Sequence, residues 1–581
     1  MKDVGAANLA QAMALVDGLC AAGLRTAVVC PGSRSTPMAV ALASDPRVRV
    51  LMHVDERSAA YFALGIALRD GQPVALLCSS GTAAANFLPA VAEAHLSRVP
   101  LVVLTADRPA ELRDWGAAQT IDQRDIYGSN VRWFHELATP GESDRDPEYA
   151  YACGRRAATI ALSVPMGPVH LNLPYREPLM SSDMPLARPT PHPLGSSVVQ
   201  RASIQPDGDQ IAQIAEHLSG IERGIIVCGP THDAEVGDAA CALGRALGYP
   251  VLADILSNVR ECASADGVVI DAYDAMLRDP AYADSVTPDV VIRIGAIATS
   301  KPLNLFLQRS CAAQVVIDVH RALRDPSWQA TTVIAADPAL ALTALHAAVT
   351  PRQGGAWLSS WLAANTATRQ VFREQFASAA VLNELLVSWE LGQHAPPGAT
   401  IMVGSSMPVR DADTFCVAGP RGRRWVANRG ANGIDGVVST ALGVSLDATG
   451  PCYLLIGDLS FYHDMNGLLA ARLHGLALTI IVVNNNGGGI FSFLPQATQV
   501  PAELFESLYG TPIDLDVQAV ANLWGATYHR ATSPEDLRAA IIRGDAPGLK
   551  IVEVCTDRAA NVFAHREMWK EVAAALQGDA R

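Results

Sequence analysis

The sequence predicts an α/β chain of three doubly wound parallel-sheet domains. Three observations lead there. Short apolar runs rich in Val, Ile and Leu alternate with helical stretches, the rhythm of strand–helix–strand units. The alternation comes in three successive blocks. A chain of 581 residues also suits three or four domains at the usual ~150 residues each.

The first block runs from TAVVC into PMAVALAS, from VALLC into TAAANFLPAVAEAHL, and on through PLVVLTA to PVHLNLP near residue 170. Each apolar run is continuous, as expected for strands covered on both faces. A Pro-rich passage, EPLMSSDMPLARPTPHPLGSS at 177–197, reads as a linker. The second block has GIIVCG, a helix through CALGRALG, then PVLAD, DVVIRIG and QVVIDV, ending near 350. A helical stretch, AWLSSWLAANTATRQVFREQF, bridges onward. The third block holds TIMVGSS, RWVANRG, CYLLIGD, LTIIVVNNN and LKIVEVC. The expected domains are therefore 1–180, 198–350 and 370–581. Ligands bind at the loops that leave the carboxyl ends of such strands.

Composition narrows the classes. Half of the residues are hydrophobic, so large cores can be buried. Lys and Arg number 44 against 58 Asp and Glu, a net charge of −14. That balance argues against a nucleic-acid or anionic-membrane surface. The opening MKDVGAANLAQAM lacks a secretory pattern, and no apolar run approaches the ~18 residues of a membrane span. The 11 cysteines are scattered, mostly in apolar surroundings and without a Cys-x-x-Cys pair. They read as reduced core residues of a cytoplasmic protein, with no zinc site and no disulfide framework.

The stretch VVNNNGGGIF at 482–491 stands out. A buried strand stops abruptly in three amides and three glycines, residues that tolerate unusual backbone angles. Amide oxygens and bare carbonyls suit a hard cation such as Mg²⁺. A single Asn-Gly would be an ordinary surface turn, but a carboxylate supports the metal reading. Asp458 follows the strand CYLLIG, and Asn485 lies 27 residues further on. That interval holds one helix and one return strand, and a right-handed crossover places both strand ends side by side. Asp458, Asn485 and the carbonyl of Gly487 can then share one Mg²⁺ or Mn²⁺. About three octahedral positions stay open for water and phosphate oxygens, so the implied ligand is a diphosphate.

A Gly-Asp followed after about 25 residues by Asn-Asn resembles the metal motif of thiamin-diphosphate enzymes, and implies that all three domains are of that type. By the resemblance, 1–180 binds the pyrimidine, 198–350 is the middle domain and 370–581 binds the diphosphate. Such enzymes need a carboxylic acid facing N1′ of the aminopyrimidine, from the first domain just after a strand. RVLMHVDERSAAYFALGIA offers Asp55 and Glu56. Glu56 matches the family pattern, an acid leading into a helix of small and apolar residues, and is the expected catalytic acid. The third motif residue is commonly Gly, and here it is Leu459.

Further segments point to one branch: PGSRSTPM at 31–38, TADRP at 105–109, GAAQTIDQ at 116–123, VGSSMPVRD at 403–411, NRGANGIDG at 428–436 and NNNGGGIFSFLP at 484–495. Together with GDLSFYHDMNGL they resemble the 2-succinyl-5-enolpyruvyl-6-hydroxy-3-cyclohexene-1-carboxylate synthase family of menaquinone biosynthesis, in which Leu after Gly-Asp is usual. The resemblance implies a transferase that decarboxylates 2-oxoglutarate and adds the resulting carbanion to isochorismate. Both substrates are dianions. Arg34, Arg108, Arg410 and Arg429 occupy strand ends or Gly-rich loops, and arginine is the preferred carboxylate partner.

By resemblance, Ser33, Arg34, Arg108, Gln119 and Lys301 line the isochorismate side. Ser406, Arg410, Arg429, Ile490, Phe491 and Leu494 also line the pocket, with Arg410 and Arg429 expected on the carboxylate derived from 2-oxoglutarate. Ile434 would bend the cofactor. Ser405, Ser406, Met407, Gly457, Leu459 and Ser460 would bracket its diphosphate. The resemblance further implies a homodimer, or a dimer of dimers, with active sites shared between chains. The chain departs from relatives at Pro302, where a second basic residue is common, and at Ala118, where Asn occurs.

Overall fold

The computed structural model describes residues 3–141, 143–181, 202–231, 233–319, 324–352, 355–419, 421–545 and 547–578. Within them lie three six-stranded sheets. The first holds β1 (Thr26–Val29), β2 (Arg49–Met52), β3 (Val74–Cys78), β4 (Leu101–Asp107), β5 (Phe134–Glu136) and β6 (Val169–Pro174), in the order β2-β1-β3-β4-β6-β5. The second holds β7 (Gly224–Cys228), β8 (Val251–Ala253), β9 (Val269–Ile270), β10 (Val290–Ile294), β11 (Ala313–Ile317) and β12 (Ala330–Ile334), in the order β12-β11-β10-β7-β8-β9. The third holds β13 (Thr400–Val403), β14 (Arg424–Val426), β15 (Cys452–Gly457), β16 (Leu478–Asn484), β17 (Thr527–Arg530) and β18 (Leu549–Cys555), in the order β14-β13-β15-β16-β18-β17. Pairings in all three are parallel, and central strands such as β3 and β10 are buried throughout, as the continuous apolar runs predict.

The sequence reading passes over β5, β9, β12 and β17. Three of these, β5, β9 and β17, are edge strands of two to four residues, and β12 is a half-exposed edge. Edge strands lack the double-sided burial that makes an apolar run. The helix expected over TAAANFLPAVAEAHL is two helices, Thr82–Asn86 and Leu88–Ser97. Pro89 sits in the first turn of the second, where its missing N–H costs nothing. Most of the Pro-rich linker expected at 177–197, from 182 onward, lies outside the described residues.

The chain divides into two compact units. One contains Met1–Ala202 with Asn428–Ala448 and Phe461–Leu478. In it the helix Glu56–Asp70 packs on the helix Val437–Ser445. Their backbones nearly touch: a Cβ on Gly65 would lie 2.1 Å from the Thr440 carbonyl, and one on Gly443 would lie 2.2 Å from that of Phe62. The other unit contains Ser203–Ala427, Thr449–Ser460 and Thr479–Arg581, with the second and third sheets.

The helix Val4–Ala21 reaches the length and apolarity of a membrane span by composition alone, a test that a buried core helix also passes. It carries Asn8, Gln11 and Asp17, and its Leu9, Leu15, Val16 and Leu19 join the core of the first sheet. All 11 cysteines are free thiols, and most are buried.

Candidate active site

In the second unit, the third sheet sets the geometry. From β13 the chain runs outward to β14 and then returns to β15 on the other side, so β13 and β15 flank the point where strand order reverses. Crevices at such points take ligands. Gly404, just past β13, donates its N–H to Leu455 of β15 at 2.8 Å. Ser405 follows, with its hydroxyl buried and without a partner among the described residues. Ser406 adopts a positive φ of 75° before the helix Met407–Phe415. Gly457 closes β15, and a Cβ there would meet no protein atom within 4 Å.

Asp458 is 2% exposed. Its carboxylate accepts the N–H of Leu459 and that of Gly487, each at 2.8 Å. Burial raises its pKa, opposed by these two backbone donors. A divalent cation would reverse that burial cost. Ser460 is likewise buried.

The three consecutive amides do different work. Asn484 donates to Glu553 at 2.7 Å and accepts the Asn486 N–H. Asn486, with φ of 53°, accepts the N–H groups of Ile513 and Asp514 and donates to the Asp514 carboxylate, fastening the following loop. Asn485 donates its Nδ2 to Glu384 Oε1 at 2.8 Å, while its Oδ1 is buried with no partner among the described residues. Gly487 has φ of 148°, and a Cβ there would lie 2.1 Å from the Gly510 carbonyl, so only glycine fits. Among the described residues no group of three His, Cys, Asp or Glu could hold a metal. The donors on hand are one carboxylate, one amide oxygen and the Gly487 carbonyl. With Asn485 Oδ1 and Ser405 Oγ both orphaned, this set fits Mg²⁺ or Mn²⁺ carrying a diphosphate.

A cavity of about 400 Å³ lies in the same unit. Lys301, Met407, Arg410, Ile490 and Leu494 line it. Arg410 is largely buried, which lowers its pKa, and it donates to the Ser406 carbonyl. Phe491 packs instead on Tyr509, ring centroids 5.5 Å apart. The wall includes residues that sequence reasoning missed: Arg278, Arg566, Trp569 and the His565–Asp411 pair at 2.9 Å. His565 also donates to the Asn561 carbonyl at 3.0 Å. Burial opposes its charge, but Asp411 outweighs this and raises its pKa.

The first unit carries the remaining candidates. Asp55 caps the helix Glu56–Asp70 by accepting the Ser58 N–H, so its carboxylate is engaged. Glu56, the first residue of that helix, makes no side-chain hydrogen bond among the described residues, which leaves its carboxyl available. In the first sheet the order reverses at β1 and β3, and the loop after β1 holds Ser33 and Arg34. Arg34 is buried, donating to the Tyr175 carbonyl at 2.9 Å and to Glu177 at 2.7 Å. Arg108 donates to the Ser80 hydroxyl and to the Gln119 carbonyl, and Gln119 Nε2 donates to the Ser80 carbonyl at 2.9 Å. Burial and then the charge of Arg34 lower the pKa of Arg108. Arg108 and Gln119 thus meet at Ser80, a residue the motif reading did not single out, with Arg34 close enough for its charge to act on Arg108.

The loop carrying Arg429 and Ile434 is held by Glu93, also unforeseen. This buried carboxylate accepts the N–H groups of Gly430 at 2.8 Å and Ala431 at 2.7 Å. Ile434 is 37% exposed. His53 is buried and His463 meets Arg57, consistent with structural roles.

Three family models match along the chain: the N-terminal thiamine pyrophosphate-binding domain over 9–126, the middle domain over 203–403 and the C-terminal thiamine pyrophosphate-binding domain over 411–554. A 2-succinyl-5-enolpyruvyl-6-hydroxy-3-cyclohexene-1-carboxylate synthase of Geobacillus thermodenitrificans is 47% identical over 96% of this chain and 95% of its own length. The chain belongs to this synthase family. Other members from Geobacillus kaustophilus and Chloroflexus aurantiacus are each 46% identical over 97% of this chain, and over 97% and 96% of their own lengths. A solved benzoylformate decarboxylase from Polynucleobacter necessarius shares the fold, with a TM-score of 0.70 over 94% of this chain and 98% of that one, at 17% identity. The three sheets are thus the three domains of a thiamine pyrophosphate enzyme, and the synthase family brings that cofactor with it.

Proposed function

We propose that this chain joins 2-oxoglutarate to isochorismate with release of CO₂, as the 2-succinyl-5-enolpyruvyl-6-hydroxy-3-cyclohexene-1-carboxylate synthase of menaquinone biosynthesis. The observation that carries the choice of substrates is the set of arginines in carboxyl-end and Gly-rich loops. Two dianions bring four carboxylates, and each calls for a forked cationic partner. Small monoanionic substrates would leave such a set unmatched.

Bound thiamin diphosphate would supply the decarboxylating and carbanion-stabilising chemistry. The chain's residues bind and orient. Asp458, Asn485 and the Gly487 carbonyl would hold Mg²⁺ or Mn²⁺, with Ser405, Ser406, Met407, Gly457, Leu459 and Ser460 around the diphosphate. Glu56 would hold a proton at N1′ of the aminopyrimidine, and Ile434 would support the cofactor's bend. Arg410 and Arg429 would take the carboxylate from 2-oxoglutarate, beside Ser406, Ile490, Phe491 and Leu494. Ser33, Arg34, Arg108, Gln119 and Lys301 would take isochorismate.

The domains are read as 1–180, 198–350 and 370–581, in a cytoplasmic homodimer or dimer of dimers. Glu56 of one copy would serve the cofactor held by another. Two-fold pairing makes two equivalent shared sites. Complementation tests this. Glu56→Gln and Asp458→Ala subunits, each inactive alone, should regain a fraction of wild-type activity when mixed under subunit exchange. No recovery with exchange demonstrated would refute shared sites. For the reaction itself, CO₂ release should depend on isochorismate. Release without its consumption would indicate a plain decarboxylase.

A further inference from the structure

We propose that Glu384 is a positioning residue that decides which end of the Asn485 amide faces the metal. The proposal rests on the reading of Asn485 as a metal ligand. A side-chain amide is nearly symmetric in shape, so its partners select its orientation. Here the selection is one-sided. Nδ2 meets Glu384 Oε1 at 2.8 Å, and that oxygen also accepts the Thr556 hydroxyl at 3.1 Å. Oδ1 on the other side is buried with no partner among the described residues. Flipping the amide would take the donor away from Glu384 Oε1, which already accepts from the Thr556 hydroxyl, and turn two N–H donors toward the cation, where an oxygen is required. Outer partners of this kind orient metal ligands and are worth 10–100-fold in affinity.

Glu384 suits the task because it is fixed. It is the first residue of the helix Glu384–His394, whose N-cap Asn383 accepts the Leu386 N–H at 2.9 Å. It is 4% exposed. Gly489 leaves room for the amide, since a Cβ there would lie 2.7 Å from Asn485 Nδ2. Glu384 sits 101 residues before Asn485, outside every motif that identifies the metal loop.

The test measures Mn²⁺ binding to the full chain with thiamin diphosphate present, by the electron paramagnetic resonance signal of free Mn²⁺. Glu384→Ala should weaken binding about 10–100-fold. Glu384→Gln should lose less than Ala, because its amide oxygen can accept from both Asn485 and Thr556, but more than wild type, because the amide can also turn and present an N–H. Unchanged binding in Glu384→Ala, while Asn485→Ala binds weakly, would overturn the positioning role. So would a Glu384→Gln loss as large as that of Ala. Unchanged binding in Asn485→Ala would overturn the metal reading itself, and the proposal with it. If Glu384→Ala fails to fold, Glu384→Met, of similar length and with no oxygen to accept the amide, takes its place in the comparison.

Discussion

Replacing Glu93 by Ala should impair the use of 2-oxoglutarate from a position on the helix Leu88–Ser97. Glu93 is 2% exposed, and its carboxylate accepts the N–H groups of Gly430 and Ala431 and the Ser97 hydroxyl at 2.6 Å. Truncation leaves two backbone donors unpaired, at roughly 1–3 kcal/mol each. The loop cannot settle onto the helix to compensate, because a Cβ on Gly430 would already lie 2.8 Å from the Leu96 side chain. A bias of about 2–6 kcal/mol against the present loop conformation follows, and 1.4 kcal/mol is tenfold in population. With Arg429 on that loop, KM for 2-oxoglutarate should rise at least tenfold, and KM for isochorismate should rise less. Glu93→Gln retains one acceptor oxygen and should fall between Ala and wild type. Steady-state kinetics on variants with wild-type circular dichroism make the comparison. A KM for 2-oxoglutarate within twofold of wild type in the Ala variant would refute the reasoning.

Other perturbations give further checks. Asp458→Ala removes the sole carboxylate of the proposed metal set. Calorimetry should show cofactor affinity reduced by orders of magnitude, partly regained with excess Mg²⁺, and unchanged affinity would show the site is misplaced. Arg108→Ala should raise KM for isochorismate about ten- to a hundredfold, from a charged hydrogen bond worth roughly 1.5–3 kcal/mol, and more than that for 2-oxoglutarate. Equal effects on both would contradict the division of the pocket. Asp464 offers a pH test. Burial pushes it up to about 6 from an ordinary 3.8, despite bonds from the Ser439 N–H at 2.7 Å and from the Ser58 and Ser439 hydroxyls. The native chain therefore binds this proton more tightly than the unfolded chain, so stability falls as pH rises from about 4 to 6. Asp464→Asn lacks that slope, and its stability relative to wild type should improve by about 2 kcal/mol between pH 4 and 7.5. Urea unfolding at both pH values measures this, and a constant difference would contradict it.

Much of the fold is legible because a doubly covered parallel strand must be apolar throughout. TAVV, VALLC and LTIIVVN announce themselves, whereas the exposed TYHR of β17 carries no such mark. The proposed metal loop is legible because its chemistry is local. A strand end, an acid and an amide at crossover spacing suffice to suggest it. In the sequence only the family pattern separates Glu56 from Asp55, because capping by Asp55 is a matter of local geometry. Glu384 and Glu93 were not legible. Each is one acid on a helix, and its partners lie 101 and 337 residues away. His565 is similarly silent until packing brings it to Asp411, 154 residues distant. Spacing encodes what one crossover connects, but not what tertiary packing joins.

The most direct test of the account is mass analysis of the products formed by the purified chain with thiamin diphosphate, Mg²⁺, 2-oxoglutarate and isochorismate. The account predicts 2-succinyl-5-enolpyruvyl-6-hydroxy-3-cyclohexene-1-carboxylate and CO₂ in equal amounts, and neither product when isochorismate is omitted. CO₂ with succinic semialdehyde and untouched isochorismate would contradict it.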